Sequence, residues 1–326
     1  MNPALTKNIK MKNARKSGVN EIIKNLKKTL SKSVKRSPYK GLLFSGGLDT
    51  SILASLKSKI IGITVSLGSK GKDIFYSTSL AKFLNMKHFH RKVGVDEAIE
   101  SIPQVIKILK SFDPAIPNDL AVYFGLKQAL ELGITEVATG DGSDELFGGY
   151  SFMKDISDLR SYIQRISKNM SFSSNDIGEF FGIEIIQPFI DKAVLDFSLK
   201  IPADLKIRKY NSKIWGKWIL RKAFEDVLPE EIIWQSKRPL EYGSGMRRLR
   251  QIVSSIISDE EFKEKSSSIK FISKEHFYYY KIYRKEIGEI PKSKDDEKTC
   301  PGCGAGIKRG SFHCKICGYV LDWRNS

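Results

Sequence analysis

Cysteine is missing from the first 299 residues of this 326-residue chain. A disulfide scaffold scatters its cysteines along the sequence, so that class is excluded and a clustered metal site becomes the expectation. No run of about 18 apolar residues occurs, which excludes a hydrophobic membrane-spanning helix. The N-terminus is basic but lacks an apolar core and a small-residue cleavage site, so no secretory signal is expected and the chain reads as cytoplasmic. Acids are scarce in residues 1–40, where Glu21 stands alone against 12 Lys/Arg. Aromatics are absent from residues 1–38, which excludes a base-stacking platform there.

What is present allows a sizeable core, since 41% of residues are hydrophobic. The formal charge is +18. Residues 1–40 hold much of that excess and form a basic arm. Such an arm suits an anionic partner, including nucleic acid, or serves as a solvated segment. Residues 1–18 show no period and are expected to lack regular structure. Val19, Ile22, Ile23, Leu26, Leu30 and Val34 then recur at helical spacing, and Ser37-Pro38 ends that helix.

An α/β alternation follows. Strands are expected over 41–44, 60–66, 88–93 and 135–139, with helices over 49–57, 73–84, 95–111 and 118–132. Sequential β-α-β units imply a parallel sheet with flanking helices, and ligands bind beyond the carboxyl ends of its strands. After residue 150 the strand signal fades. Helices are expected over 189–199 and 214–227, and an aromatic helical stripe over 266–290.

Two strand ends carry chemistry. Residues 41–51 read GLLFSGGLDTS and residues 137–150 read VATGDGSDELFGGY. A turn that opens a helix offers free N–H groups and the positive end of a dipole, a natural anion site. Gly46 and Gly47 let a phosphate approach closely, and Ser45 and Thr50 add hydroxyls. Asp49 would repel bare phosphate but suits a phosphate carrying Mg²⁺. The alternative is a Gly-Gly turn with Asp49 as helix cap. In the second loop Asp141, Asp144 and Glu145 crowd five positions. Adjacent parallel strands would let Asp49 and Asp144 share one Mg²⁺ on a nucleotide's phosphates. The alternative there is an exposed helix start, where acids suit the dipole.

SGGLDTS (45–51) resembles the pyrophosphate loop of the N-type ATP pyrophosphatases, and TGDGSDELFGGY (139–150) the second motif of the asparagine synthase branch. QPFID (187–191), KWILRKAFEDVLPEEI (217–232) and KRPLEYGSG (237–245) are similar to later segments of that branch, in the same order. The resemblance implies an adenine nucleotide alpha hydrolase-like fold with a helical C-terminal part. It also implies a reaction in which ATP adenylates a carboxylate, aspartate in asparagine synthetases, with release of pyrophosphate. Ammonia then displaces AMP to give an amide. Carried over by position, Ser45, Gly46, Gly47, Asp49 and Thr50 would hold pyrophosphate, and Asp49 and Asp144 would bind Mg²⁺. Val65 would contact adenine, Thr139 and Gly140 would line the nucleotide, Asp141 would help deprotonate the amine, and Lys217 would neutralise the pentavalent phosphorus. Ile186 stands where the family usually has Arg, and Glu241 where it often has Gln. About 40 residues precede the first loop, so no glutaminase domain is expected there. Ammonia would come from solution or from a separate glutaminase subunit.

Residues 300–318 read CPGCGAGIKRGSFHCKICG. Two C-x2-C pairs ten residues apart, each followed by Gly, suit a closed tetrahedral Zn²⁺ on Cys300, Cys303, Cys314 and Cys317. With all four thiols so used, sulfur transfer is not expected. Lys308, Arg309, Lys315 and Arg324, with Tyr319 and Trp323, make this ribbon fit for RNA or protein docking, or for a subunit contact. The expected layout is a basic arm and helix over 1–40, an ATP pyrophosphatase domain over 41–290, a charged linker over 291–298 and a zinc ribbon over 299–326. Arm and ribbon together keep a second function open, an enzyme of the same fold that adenylates tRNA or another nucleic acid.

Overall fold

The computed structural model describes residues 3–69, 71–264 and 268–321, with side chains from residue 17 onward. Helix α1 spans Pro3–Arg36. It therefore begins well before the apolar period does, which corrects the expectation of an irregular 1–18. Those residues include four Lys with Ala, Met, Leu and Arg, good helix formers at no apolar period, and Pro is tolerated in a first turn.

The central sheet is parallel. Strands β1 (Gly41–Leu43), β2 (Ile61–Leu67), β3 (Lys87–Val93), β4 (Glu136–Ala138) and β5 (Glu184–Ile186) lie in the order β3-β2-β1-β4-β5. Gly41 pairs with Ile61 on one side and Val137 on the other. The crossovers are α2 (Leu48–Leu56), α3 (Asp73–Phe83), α4 (Val95–Leu109) and α5 (Ile116–Glu131). Strands β1 and β4 are direct neighbours, so the two glycine- and acid-bearing loops leave the sheet side by side. Strand β5 is absent from the sequence reading. It has only three residues, too few for alternation to register.

Residues alternate across the sheet. Leu42, Phe44 and Ala138 pack into one apolar cluster with α1 and α2. Ile63, Val65, Leu67 and Val137 pack into the other with α4 and α5. Each face is thus covered by helices, as parallel strands buried on both sides require.

Beyond β4 come α6 (Ser143–Phe147), α7 (Leu159–Ile166), α8 (Ser173–Phe181), α9 (Lys192–Lys200) and α10 (Ala203–Lys206). The helix expected over 214–227 is divided. A hairpin of β6 (Arg208–Tyr210) and β7 (Lys213–Trp215) comes first, and α11 (Trp218–Phe224) follows. Asn211 and Ser212, both at positive φ, form the two-residue turn that such a hairpin needs. The chain continues through α12 (Glu230–Ile233), α13 (Leu240–Gly243), α14 (Arg248–Ile256), α15 (Asp259–Lys263) and the aromatic α16 (Lys274–Glu286).

The C-terminal ribbon is the antiparallel pair β8 (Glu297–Thr299) and β9 (Gly306–Lys308) plus two cysteine turns. Residues 291–298 take part in it, since Lys292 bridges to Ala305 and β8 starts at Glu297. The four cysteines lie in the same apolar cluster as Ile102, Ile106, Phe112 and Tyr283. Trp323 and Arg324 lie outside the described residues. Among the described residues no helix is long and apolar enough to cross a membrane.

Candidate active site

From β1 the chain turns through Phe44, Ser45 and Gly46 into α2. Gly46 has φ +66°, and a Cβ there would lie 2.6 Å from the Ser77 backbone nitrogen. Its carbonyl accepts from Gln235 Nε2 at 2.9 Å. Ser45 Oγ accepts from the Gly47 N–H at 3.2 Å and lies 3.4 Å from Thr50 Oγ1. The helix cap is Gly47, with no side-chain hydrogen bond. Asp49 is therefore not a capping residue. Its Oδ1 accepts from Ser143 Oγ and its Oδ2 from Lys217 Nζ, each at 2.6 Å.

The second loop meets the first. A Cβ on Gly140 would lie 3.0 Å from that of Asp49. Asp144, in the first turn of α6, places Oδ1 2.8 Å from Lys217 Nζ and accepts from Lys237 Nζ with Oδ2. Lys217 precedes α11 with φ +55°, its backbone N–H donating to Phe147 O at 3.1 Å. Its side chain is 5% exposed. A Cβ on Gly149 would sit 1.8 Å from Asp144 Oδ1 and 2.4 Å from Lys217 Cε, so the glycine makes room for this pair.

The charges settle one another. Burial alone would raise the Asp144 carboxyl, but the Lys217 and Lys237 ammoniums beside it bring it down to about 2. Burial alone would lower Lys217, but Asp144 and Asp49 raise it, so it stays charged. Burial pulls Arg221 down to about 10. Its guanidinium ties the carbonyls of Gly216, Ile233 and Gln235 together.

Asp141 has a different setting. Its Oδ2 accepts from Thr139 Oγ1 at 2.6 Å, Ser174 Oγ at 2.6 Å and Gln187 Nε2 at 3.0 Å. All three donors are neutral. Beside it Tyr150 donates to Glu145 Oε1 at 2.5 Å and stacks on Phe152. Burial raises the Glu145 carboxyl.

One cavity of about 620 Å³ joins these groups. Ser45, Gly47, Asp49, Thr50, Val65, Thr139, Gly140, Asp141, Asp144 and Lys217 all line it. Gly46 is not on the wall and acts through the turn. Lys237, Arg238, Gln235, Ser174 and Gln187 are polar groups of the site that the sequence reading left without a role. KRPLEYGSG and QPFID contain Lys237, Arg238 and Gln187, so the segments were legible and the contacts were not. Ser174 lies in no motif.

The donor sets suit the two metals. Asp49 and Asp144 converge on one point, and the buried Asp144 Oδ1, although 2.8 Å from the ammonium, makes no hydrogen bond of normal geometry. Two carboxylates meeting from adjacent loops are the hard oxygen donors that Mg²⁺ takes. In the ribbon, Cys300 and Cys317 Sγ lie 3.6 Å apart and Cys303 and Cys314 Sγ 3.8 Å apart, with all four within 4.8 Å. Tetrahedral Zn–S bonds of about 2.3 Å place sulfurs roughly 3.8 Å apart, so the four thiols fit that ion.

The asparagine synthase family model matches residues 23–179 and 160–298. A probable glutamine-hydrolyzing asparagine synthetase of Dictyostelium discoideum is 29% identical over 293 residues, covering 78% of this chain and 52% of that protein. One of Schizosaccharomyces pombe is 29% identical over 311 residues, covering 80% and 55%. The chain spans about half the length of the curated relatives it matches. An NH3-dependent NAD synthetase structure from Campylobacter jejuni is a looser likeness, at 14% identity and TM-score 0.34, covering 85% of this chain and 99% of that one.

Proposed function

The chain belongs to the asparagine synthase family, and on that premise we propose that it is an ATP-dependent, AMP- and pyrophosphate-forming amide ligase. The carboxylate substrate is a small one, with aspartate the first candidate. The amine is ammonia, free or delivered by a partner glutaminase. One observation carries this reading. Three separate segments bring Asp49 and Asp144 to the buried Lys217, while Asp141 waits in the same cavity with no cation among its hydrogen-bond partners in the described residues.

In this reading the α2 N-terminus and the Ser45 and Thr50 hydroxyls bind the pyrophosphate. Mg²⁺, held by Asp49 and Asp144, supplies charge neutralisation on the phosphate oxygens. Lys217, kept charged by the same two acids, stabilises the negative charge that grows as the carboxylate attacks the α-phosphorus. Val65 and Thr139 border the adenosine. Asp141 takes a proton from the incoming ammonium. Three neutral hydrogen bonds fix its Oδ2, which leaves Oδ1 to meet the nucleophile.

The test is pyrophosphate release with ATP, Mg²⁺, ammonium and a panel of amino acids. Aspartate-dependent release with asparagine formed is the expected result. No release with any amino acid sinks the reading. A second reading, adenylation of a tRNA, draws on Lys24, Lys28, Lys32 and Lys35, which form an exposed row on α1. Residues four apart on a helix are about 6 Å apart, close to the spacing of backbone phosphates. Release that needs tRNA and no amino acid would favour it.

A further inference from the structure

The wall on the Asp141 side of the cavity comes from residues 150–174. Tyr150, Phe152, Phe172 and Ser174 face inward. The outer side of the same segment rests on the ribbon. The Tyr162 ring lies 5.2 Å from that of Phe312, and the Arg165 guanidinium 5.0 Å over it. Asn169 Nδ2 donates to Gly310 O at 3.3 Å, and Lys315 Nζ to Ser171 Oγ at 2.8 Å. Three residues after that last contact, Ser174 donates to Asp141.

The ribbon is itself pinned to the core. The Phe112 N–H and Ser111 Oγ both donate to Ile316 O, at 2.7 and 3.1 Å, and the Lys270 N–H donates to Gly302 O at 2.8 Å. Gly318 packs on Asp113 so closely that a Cβ would lie 2.6 Å from the carboxyl. Lys315 and Ile316 both sit between the ligand positions Cys314 and Cys317. Two three-residue strands bury too little surface to hold these turns, so their shape depends on the metal.

We propose that the zinc ribbon is a clasp on residues 150–174, and that through Ser174 it positions Asp141 for the amine step. The metal thereby acts on the amide-forming half of the site and not on the phosphate half: among the described residues the ribbon's hydrogen bonds and ring contacts reach residues 111–113, 162–171 and 270. The kinetic consequence rests on the amide-ligase reading; the structural one does not.

Hydrogen exchange on the full chain, zinc-loaded and chelator-stripped, tests this. Stripping should speed exchange at residues 159–174 by about tenfold or more, together with 297–321, while residues 41–56 keep their rates. Opening confined to 297–321 overturns the proposal, as does loss of protection at 41–56. Phe312→Ala combined with Lys315→Ala leaves all four thiolates in place. It should retain stoichiometric zinc and still show faster exchange at 159–174; an unchanged rate there overturns the clasp. In that double variant kcat for amide formation should fall by about threefold, with the KM for ATP within about twofold of the parent. An unchanged kcat overturns the link to Asp141. The exchange arm needs no substrate. Absence of pyrophosphate release in the untreated protein would therefore count against the ligase reading alone.

Discussion

Asp144 and Asp141 stand three residues apart in one loop, yet the fold gives them opposite surroundings. Asp144 lies half-buried between the Lys217 and Lys237 ammoniums and is held ionised down to about 2. Asp141 is held by two hydroxyls and an amide, with no cation among its hydrogen-bond partners. The glycines between and after them make the split possible. Gly142, at φ +85°, turns the chain sharply into α6. Gly149 leaves room for Asp144 and Lys217 to meet. Two carboxylates of identical chemistry thus become a charge-paired group suited to metal and phosphate and a charge-unpaired group suited to an incoming cation. Environments that differ in this way assign acid–base roles more firmly than residue type does.

The sharpest way to break that contrast is at the ion pair. Lys217→Met should lower pyrophosphate release by about a thousandfold, since it removes a fixed charge aimed at developing phosphate charge. Release within about tenfold of the parent would remove Lys217 from the phosphate half. Asp141→Asn probes the other half. Amide product should fall by about a hundredfold while ATP–pyrophosphate exchange continues, because adenylation needs no proton acceptor at that point. Equal loss of both would erase the distinction between the two acids.

The contrast also has a pH signature. A carboxyl lowered in the folded state binds fewer protons than in the unfolded chain, so its contribution is present above its ordinary value and lost as pH falls. For Asp144, lowered from 3.8 to about 2, the loss lies in that interval. Denaturant melts of Mg²⁺-free protein should show stability falling by on the order of 2 kcal/mol across it. Asp144→Asn should flatten that slope, and a slope equal to the parent's would show that other acids cause it.

The smallest effect is expected at Ser174→Ala, which removes one of three donors to Asp141 and should cost about 1 kcal/mol. That corresponds to roughly a fivefold fall in amide formation, restored by Ser174→Thr and absent from pyrophosphate exchange. A loss shared by both half-reactions would make Ser174 a general stability residue.

Much of this site was legible in the chain. SGGLDTS and TGDGSDELFGGY each end a short apolar strand in glycines and acids, and the sheet order β3-β2-β1-β4-β5 then makes their strands neighbours. Ten of the site residues expected from those loops and from the family resemblance line one cavity. Other parts were not legible. Lys217 reads as a helix residue but stands before α11 in a left-handed conformation, after a hairpin that helical periodicity conceals. Ser174 and Gln187 reach Asp141 from 33 and 46 residues away, and no local pattern records such a meeting. Strand β5, which Gln187 directly follows, is too short to announce itself.

The two kinds of knowledge divide at the ribbon as well. The two C-x2-C pairs pointed by themselves to four gathered thiols, because two such turns can present four sulfurs at a spacing that suits one tetrahedral ion. The two loops likewise determined where acids and free helix-start N–H groups would sit, since backbone N–H groups and glycine freedom are local properties. Which acid would be paired with lysine, and which would be held by neutral donors, depended on α11, α8 and the 235–238 loop arriving from elsewhere. That the ribbon's second turn rests on Tyr162, Asn169 and Ser171 depended on them too. Electrostatic environment and close packing are set by neighbours in space, and only the tertiary structure decides who those neighbours are.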